Sequence, residues 1–431
     1  MDHQTYYKEK CGTPEGALSL VHSGDVIACA TYGDEPAWFL SHLHLAAPRV
    51  ENVVLWTMLM MGDYPVMYDA SLKGKIDIYT WFYNKECRAT HASGRCHMVP
   101  MDLSAGGKTM VETKRPTVFA AAVSPMDENG NVYLSMDLQI SLECMEAADR
   151  VIFEVNPNIP RVYGKTAVPI EKADYIYEAV LPLAHAPLVK SSPVEQKIAE
   201  YVCGLVEDGD CIQLGIGGMP NAVGEALAVK KDLGIHSEMI TSSMGKLMRS
   251  GAVTNERKNI NTGKAVGAFA WGDDALYEYM DRNPKVEILP ASYVNNAFTI
   301  AQNDNMVSIN TAMEMDLTGQ VCSESIGSRQ YSGTGGALDF AYGAFHSKGG
   351  KVILAMASTA KGGTISKIKP QLSPGAVVSI PRNLADYVVT EYGVARLRNR
   401  SVRQRVENLI AISHPDFREQ LRKEANRLML W

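Results

Sequence analysis

Residues 208–243, DGDCIQLGIGGMPNAVGEALAVKKDLGIHSEMITSS, constrain the fold of this chain more than any other stretch. Cys211 to Leu214 is a short apolar run with strand character. It breaks into Gly215-Ile216-Gly217-Gly218, where missing side chains let the backbone approach a ligand closely. Pro220 fits a first helical position, and Ala222, Val223, Ala226, Leu227 and Val229 give an apolar stripe before Gly234 ends the helix. The unit reads as strand, glycine loop, helix, strand. The second strand carries His236, Ser237 and Glu238, and ligands of open α/β sheets bind beyond the carboxyl ends of the strands. Taken alone, such a loop fits any phosphate or nucleotide binder and many tight turns that bind nothing. A single strand-end carboxylate is most often a structural acid.

The 431 residues predict two or three domains. A net charge of −6 leaves no bulk basic field to hold nucleic acid or an anionic membrane, so a polyanionic ligand needs a local basic pocket. The first residues, MDHQTYYKEKCGT, contain no apolar signal region, and no later run is long enough to span a bilayer; a cytoplasmic protein is expected. Eight cysteines without a CxxC pair fit a reduced compartment better than a disulfide framework. Cys87, His91, Cys96 and His97 are metal-ligand types, but their spacing matches no familiar zinc pattern, and no metal site is expected.

The glycine-loop syntax occurs twice. Gly24-Asp25-Val26-Ile27 matches Gly209-Asp210-Cys211-Ile212, and Pro36 to Leu43 matches Pro220 to Leu227, which suggests two related α/β halves. Counting along the first copy, the place of Glu238 falls near Val54 inside an apolar strand, so only the second copy offers a nucleophile. Leu181 to Ser192, rich in proline and small residues, reads as a linker. The expected domains are therefore residues 1–186 and 187–431. Ser192-Pro193-Val194-Glu195 opens a helix with a capping-box pattern. Beyond Glu238, strand-like runs at Val286–Leu289, Met306–Ile309, Val352–Met356, Ala376–Ile380 and Asp386–Val389 alternate with helical stretches, the rhythm of a covered, mostly parallel sheet. A second glycine cluster, Gly333-Thr334-Gly335-Gly336, precedes Leu338-Asp339-Phe340 and by itself reads as a tight turn at a helix start. Lys348, Lys351, Lys361, Lys367 and Lys369 form a late basic concentration, either a solvated face or a contact for phosphates.

The segments 215–223, 234–240 and Val253-Thr254-Asn255 resemble the acetyl-CoA hydrolase/transferase family. So do Asn303 to Val307, Asp316 to Val321, Gly335-Gly336 with Asp339-Phe340, and Val388 to Gly393, and within the family the likeness is to 4-hydroxybutyrate and butyrate/acetate CoA-transferases. The resemblance implies two related open α/β domains with mostly parallel sheets, a CoA-transferase (NagB/RpiA-like) fold with the active site in the cleft between them, and a homodimer. It implies exchange of CoA between an acyl-CoA and a short-chain carboxylic acid, with no permanently bound cofactor, through a covalent glutamyl-CoA thioester on Glu238. Gln213 is either an oxyanion donor or a buried, satisfied polar group. Gly215, Ile216, Gly217, Gly218, Met219, Gly335, Gly336 and Lys361 are the expected CoA-binding residues. Two departures stand out: Thr241-Ser242-Ser243 where the family usually has Ser-Asp-Gly, and Ala337 where it usually has glutamine. They point to a different acyl substrate, a shifted oxyanion contact or reduced activity, the last extending to a CoA-binding paralogue with little turnover; a hydrolase, in which water intercepts the same intermediate, is a separate alternative.

Overall fold

The computed structural model describes residues 2–187, 189–215 and 217–430. The chain divides into two compact units, Met1–Ala186 with Val266–Val294, and Pro187–Ala265 with Asn295–Trp431.

The first unit is built on a parallel seven-stranded sheet in the order Tyr175–Glu178, Arg150–Val155, Val118–Val123, Val26–Cys29, Val53–Thr57, Ile76–Thr80, Cys96–Met98. Val118–Val123 is buried at every position, as a strand covered on both faces must be. The chain enters at Val26–Cys29, winds outward on one side, then returns to wind outward on the other. The reversal lies beside this first strand.

The second unit repeats that plan. Its strands run in the order Gly393–Arg396, Tyr387–Thr390, Lys351–Ala355, Met306–Thr311, Cys211–Leu214, Gly234–Thr241. All are parallel except the edge hairpin that Gly393–Arg396 makes with Tyr387–Thr390. Cys211–Leu214 again enters first and has neighbours added on both sides, so the glycine loop that follows it leaves the sheet where strand order reverses. Open α/β sheets bind ligands at this switch point.

The kinship of the halves extends to their hydrogen bonds. Gly24 and Gly209, with φ of 80° and 87°, make the same left-handed turn before each entering strand. Asp25 accepts from the His22 amide at 2.6 Å, and Asp210 accepts from the Glu207 amide at 2.8 Å. Each aspartate then meets a cation from the strand two places away, Arg150 at 2.5 Å and Lys351 at 3.2 Å.

Several local expectations hold and others shift. The capping box at Ser192 opens the helix Pro193–Leu205, which buries Ile198, Ala199 and Val202, while Val194 is exposed. The glycine-loop helix spans Gly218–Ala226, so it begins two residues before Pro220. It ends at Ala226 and passes into a short 3-10 turn; Gly234 instead opens the next strand. Ala376–Ile380 is no strand: Val377 and Val378 point to solvent, and the stretch is tied down through Ser379 and a single bridge from Ile380 to Val321. Among the described residues, no helix is long and apolar enough to cross a membrane.

Candidate active site

Glu238 lies on the strand Gly234–Thr241, paired in parallel with Cys211–Leu214 through Cys211↔Gly234 and Ile212↔Ile235. Carried four residues on, that register sets Glu238 level with Gly215, the first residue of the glycine loop. Its neighbours on the strand, Ser237 and Met239, are buried, whereas Glu238 keeps partial access to solvent.

Two donors hold its carboxylate. Asn295 donates from Nδ2 to Oε2 at 2.8 Å, and the Gly336 amide donates to the same group. The approach of Gly336 is close: a Cβ on it would stand 1.9 Å from Glu238 Oε2 and 2.0 Å from Asn295 Nδ2, so any side chain there displaces both groups. Gly335, with φ of 54°, turns the chain into this contact, and the helix Ala337–His346 starts directly after it. Burial pushes the Glu238 carboxyl up to about 7. The Asn295 and Gly336 hydrogen bonds pull against that rise, and the Asp339 carboxylate adds to it.

The other sequence-predicted residues fall into three groups. Gln213 is engaged at both ends of its amide: Nε2 donates to Asn310 Oδ1 at 3.2 Å, while Oε1 accepts from Ser308 Oγ at 2.9 Å and from Asn310 Nδ2 at 3.2 Å. This network bridges the strands Cys211–Leu214 and Met306–Thr311 and gives Gln213 a structural occupation. In the glycine loop, Gly217 has φ of 110° and open space where a Cβ would be, and Gly218 leaves room for Glu195 Oε1, 2.8 Å from its own missing Cβ. Gly215 is half-buried and Met219 is buried in the first turn of the helix; Ile216 lies outside the described residues. Four of the five late lysines are committed elsewhere. Lys348 pairs with Asp304, Lys351 with Asp210 and Lys369 with Glu314, while the half-buried Lys367 donates its ammonium to the Ala312 carbonyl. Lys361 is exposed at a hairpin turn, with φ of 49°.

The residues that depart from the family pattern have local work. Thr241 caps the helix Ser242–Ser250 by accepting from the Met244 amide at 3.3 Å, and its hydroxyl lies 2.9 Å from that of Ser243. Ser243 packs where Gly224 lacks a side chain. Ala337 is half-buried at the first position of its helix, next to the glycine that touches Glu238. In the first unit, Cys87 and Cys96 are buried side by side, and the Tyr83 hydroxyl is 2.9 Å from His91 Nδ1. Among the described residues, no group of three or more His, Cys, Asp and Glu is arranged to hold a metal ion.

Sequence reasoning missed Asn295. It is fully buried, stands outside every glycine pattern, and meets Glu238 only because the fold joins positions 57 residues apart.

Residues 1–181 match the acetyl-CoA hydrolase/transferase N-terminal domain, and residues 272–425 match the C-terminal domain of the same family. The chain belongs to the acetyl-CoA hydrolase/transferase family. It is 42% identical over 427 residues to the succinyl-CoA:cyclohexane-1-carboxylate CoA transferase of Geobacter metallireducens, covering 99% of this chain and 97% of that one. It is 39% identical over 425 residues to the 4-hydroxybutyrate coenzyme A transferase of Clostridium kluyveri, covering 98% and 99%. The crystal structure of RipA from Yersinia pestis matches it with a TM-score of 0.96 at 35% identity, over 100% of both chains.

Proposed function

We propose that this protein is an acyl-CoA:carboxylate CoA-transferase in which Glu238 is the nucleophile, acting between acetyl-CoA and a short acid such as butyrate or 4-hydroxybutyrate. The observation that carries the reading is the Glu238 carboxylate, held by the Asn295 side chain and the Gly336 amide at a sheet position level with the glycine loop.

A Glu238 oxygen attacks the acyl-CoA carbonyl, the carbon–sulfur bond breaks, and an acyl-glutamyl anhydride and CoA thiolate result. The thiolate then attacks the glutamyl carbonyl, releasing the first acid and leaving a glutamyl-CoA thioester. The second acid runs the two steps in reverse. No redox change or external energy source is needed, because one thioester replaces another. Each attack on the glutamyl carbonyl gathers negative charge on an oxygen of Glu238 itself, where Asn295 Nδ2 and the Gly336 amide already point. Such preformed donors are worth about 3–4 kcal/mol each to a transition state. A carboxylate is a weak nucleophile, and fixed proximity makes up the deficit, by roughly 7–11 kcal/mol in favourable cases.

Gly215, Gly217, Gly218 and Met219, with Gly335 and Lys361, are the residues proposed to receive CoA, the glycines by backbone approach and Lys361 by its exposed charge. The reading takes the enzyme as a cytoplasmic homodimer without a permanent cofactor. Incubation with acetyl-CoA followed by intact-mass measurement tests it: wild type gains a CoA adduct, and Glu238→Ala gains none. Absence of any adduct on wild type overturns the proposal. Hydrolysis of the same intermediate is the second reading, favoured by the two activities in the family's description. It is distinguished by loss of acetyl-CoA without an acceptor acid.

A further inference from the structure

Gly336 reaches Glu238 from the end of a turn that has its own anchor. Glu324, 5% exposed, stands between the short strands Val321–Cys322 and Ser325–Ile326. Its Oε1 accepts from Thr334 Oγ1 at 2.8 Å and from Ser379 Oγ at 2.9 Å, and its Oε2 accepts from Gln330 Nε2 at 3.1 Å. Its backbone carbonyl accepts from the amides of Tyr331 and Ser332 at 2.8 and 3.0 Å. Gln330 Nε2 also reaches the Ser332 carbonyl at 2.8 Å, which closes the turn on itself. One residue thus fastens positions 330–334, and only Gly335 separates that fastening from the amide that touches Glu238.

Building on the reading of Glu238 as nucleophile, we infer that Glu324 is a positioning residue: it holds the turn Ser332–Gly336 so that the Gly336 amide meets the Glu238 carboxylate. The chemistry of the anchor supports this. A buried carboxylate facing three neutral donors makes charge-assisted hydrogen bonds, roughly twice as strong as neutral ones. A glutamine there would lose the charge behind all three contacts, and with its carbonyl kept toward the Gln330 amide its NH2 would face the Thr334 and Ser379 hydroxyls, which would then accept where they now donate, so the turn would loosen. A competing role is separable by residue. Ser379, whose hydroxyl also accepts from the Ser323 amide at 3.0 Å, ties Glu324 to the neighbouring stretch and not to the turn.

The charged neighbour that acts on Glu238 is Asp339, on the helix that follows the turn. The Gly336 amide opposes Asp339 by favouring the ionised carboxylate. Loosening the turn therefore moves the Glu238 titration upward. Glu324→Gln, Thr334→Val and Ser379→Ala are compared with wild type by thermal melting, by kcat and KM for acetyl-CoA with butyrate as acceptor, and by difference infrared titration of Glu238 against Glu238→Gln. The infrared measurement needs no turnover. Thr334→Val and Glu324→Gln are expected to titrate above wild type and to lose kcat on the order of tenfold or more with little change in KM. Ser379→Ala is expected to titrate as wild type does. The inference is overturned if Thr334→Val keeps the wild-type midpoint, or if Ser379→Ala moves it equally. Failure of the nucleophile reading is a separate result, the absence of a CoA adduct on wild type, and leaves the infrared comparison readable.

Discussion

At the scale of single residues, the site is a carboxylate whose surroundings pull in opposite directions. Burial and Asp339 favour its neutral form; Asn295 and Gly336 favour the anion. On the proposal that the anion is the nucleophile, activity is expected to fall as the pH drops through about 7. Asp339→Asn removes the like charge and moves that acid limb to lower pH, which a pH profile of kcat/KM for acetyl-CoA reads directly. Gly336→Ala inserts a methyl where Glu238 Oε2 and Asn295 Nδ2 already lie. It is expected to leave the protein folded and to cut kcat on the order of 100-fold, as a displaced nucleophile does; an active Gly336→Ala enzyme contradicts the geometry. The place of Glu238 on its strand, level with the glycine loop, was legible in the sequence because the strand pattern and the family motif coincide. Asn295 was not, since an asparagine in Ala291-Ser292-Tyr293-Val294-Asn295 carries no local signature and its role comes from a long-range contact. Gln213 was legible as polar in an apolar strand, but only the neighbouring strand decides what its amide does.

At the scale of elements, the two halves differ in what stands at the amino end of the helix after the entering strand. In the first unit, the amino end of the helix Ala37–His42 is occupied from within: Glu154 accepts from the Ala37 and Trp38 amides at 3.1 and 3.0 Å. An acid there also satisfies the positive end of the helix dipole. Arg150 and Lys351 play matching parts toward Asp25 and Asp210, so four residues further along each strand Glu154 corresponds to Ala355. The second half has no carboxylate at that place. Ala355→Glu would put one at the amino end of the glycine-loop helix, and a raised KM for acetyl-CoA is expected. Thermal melting beside the kinetics separates this from simple loss of folding, and an unchanged KM in a folded variant contradicts the correspondence. The repeated Gly-Asp turn made the kinship visible in the sequence. The plug did not, because Glu154 sits in an apolar strand more than a hundred residues from the helix that it caps. Ala376–Ile380 misled for the opposite reason: apolar composition reports burial only when a neighbouring strand exists to cover it.

At the scale of the molecule, the plan of two related α/β halves with mostly parallel sheets came from the repeated glycine-loop syntax and the family resemblance, with the alternation of apolar runs and helical stretches beyond Glu238 in support. The return of Val266–Val294 to the first unit did not, since no break in composition marks where a chain changes unit. The central claim is that Glu238 joins covalently to each partner in turn, and oxygen tracing tests this directly. When the incoming acid attacks the glutamyl-CoA thioester, one of its carboxylate oxygens bridges the anhydride and stays with Glu238 once CoA takes the acyl group. With acetyl-CoA and butyrate labelled with heavy oxygen at both carboxylate positions, the peptide containing Glu238 is expected to gain heavy oxygen, dependent on turnover. Turnover that leaves that peptide unlabelled would contradict the account.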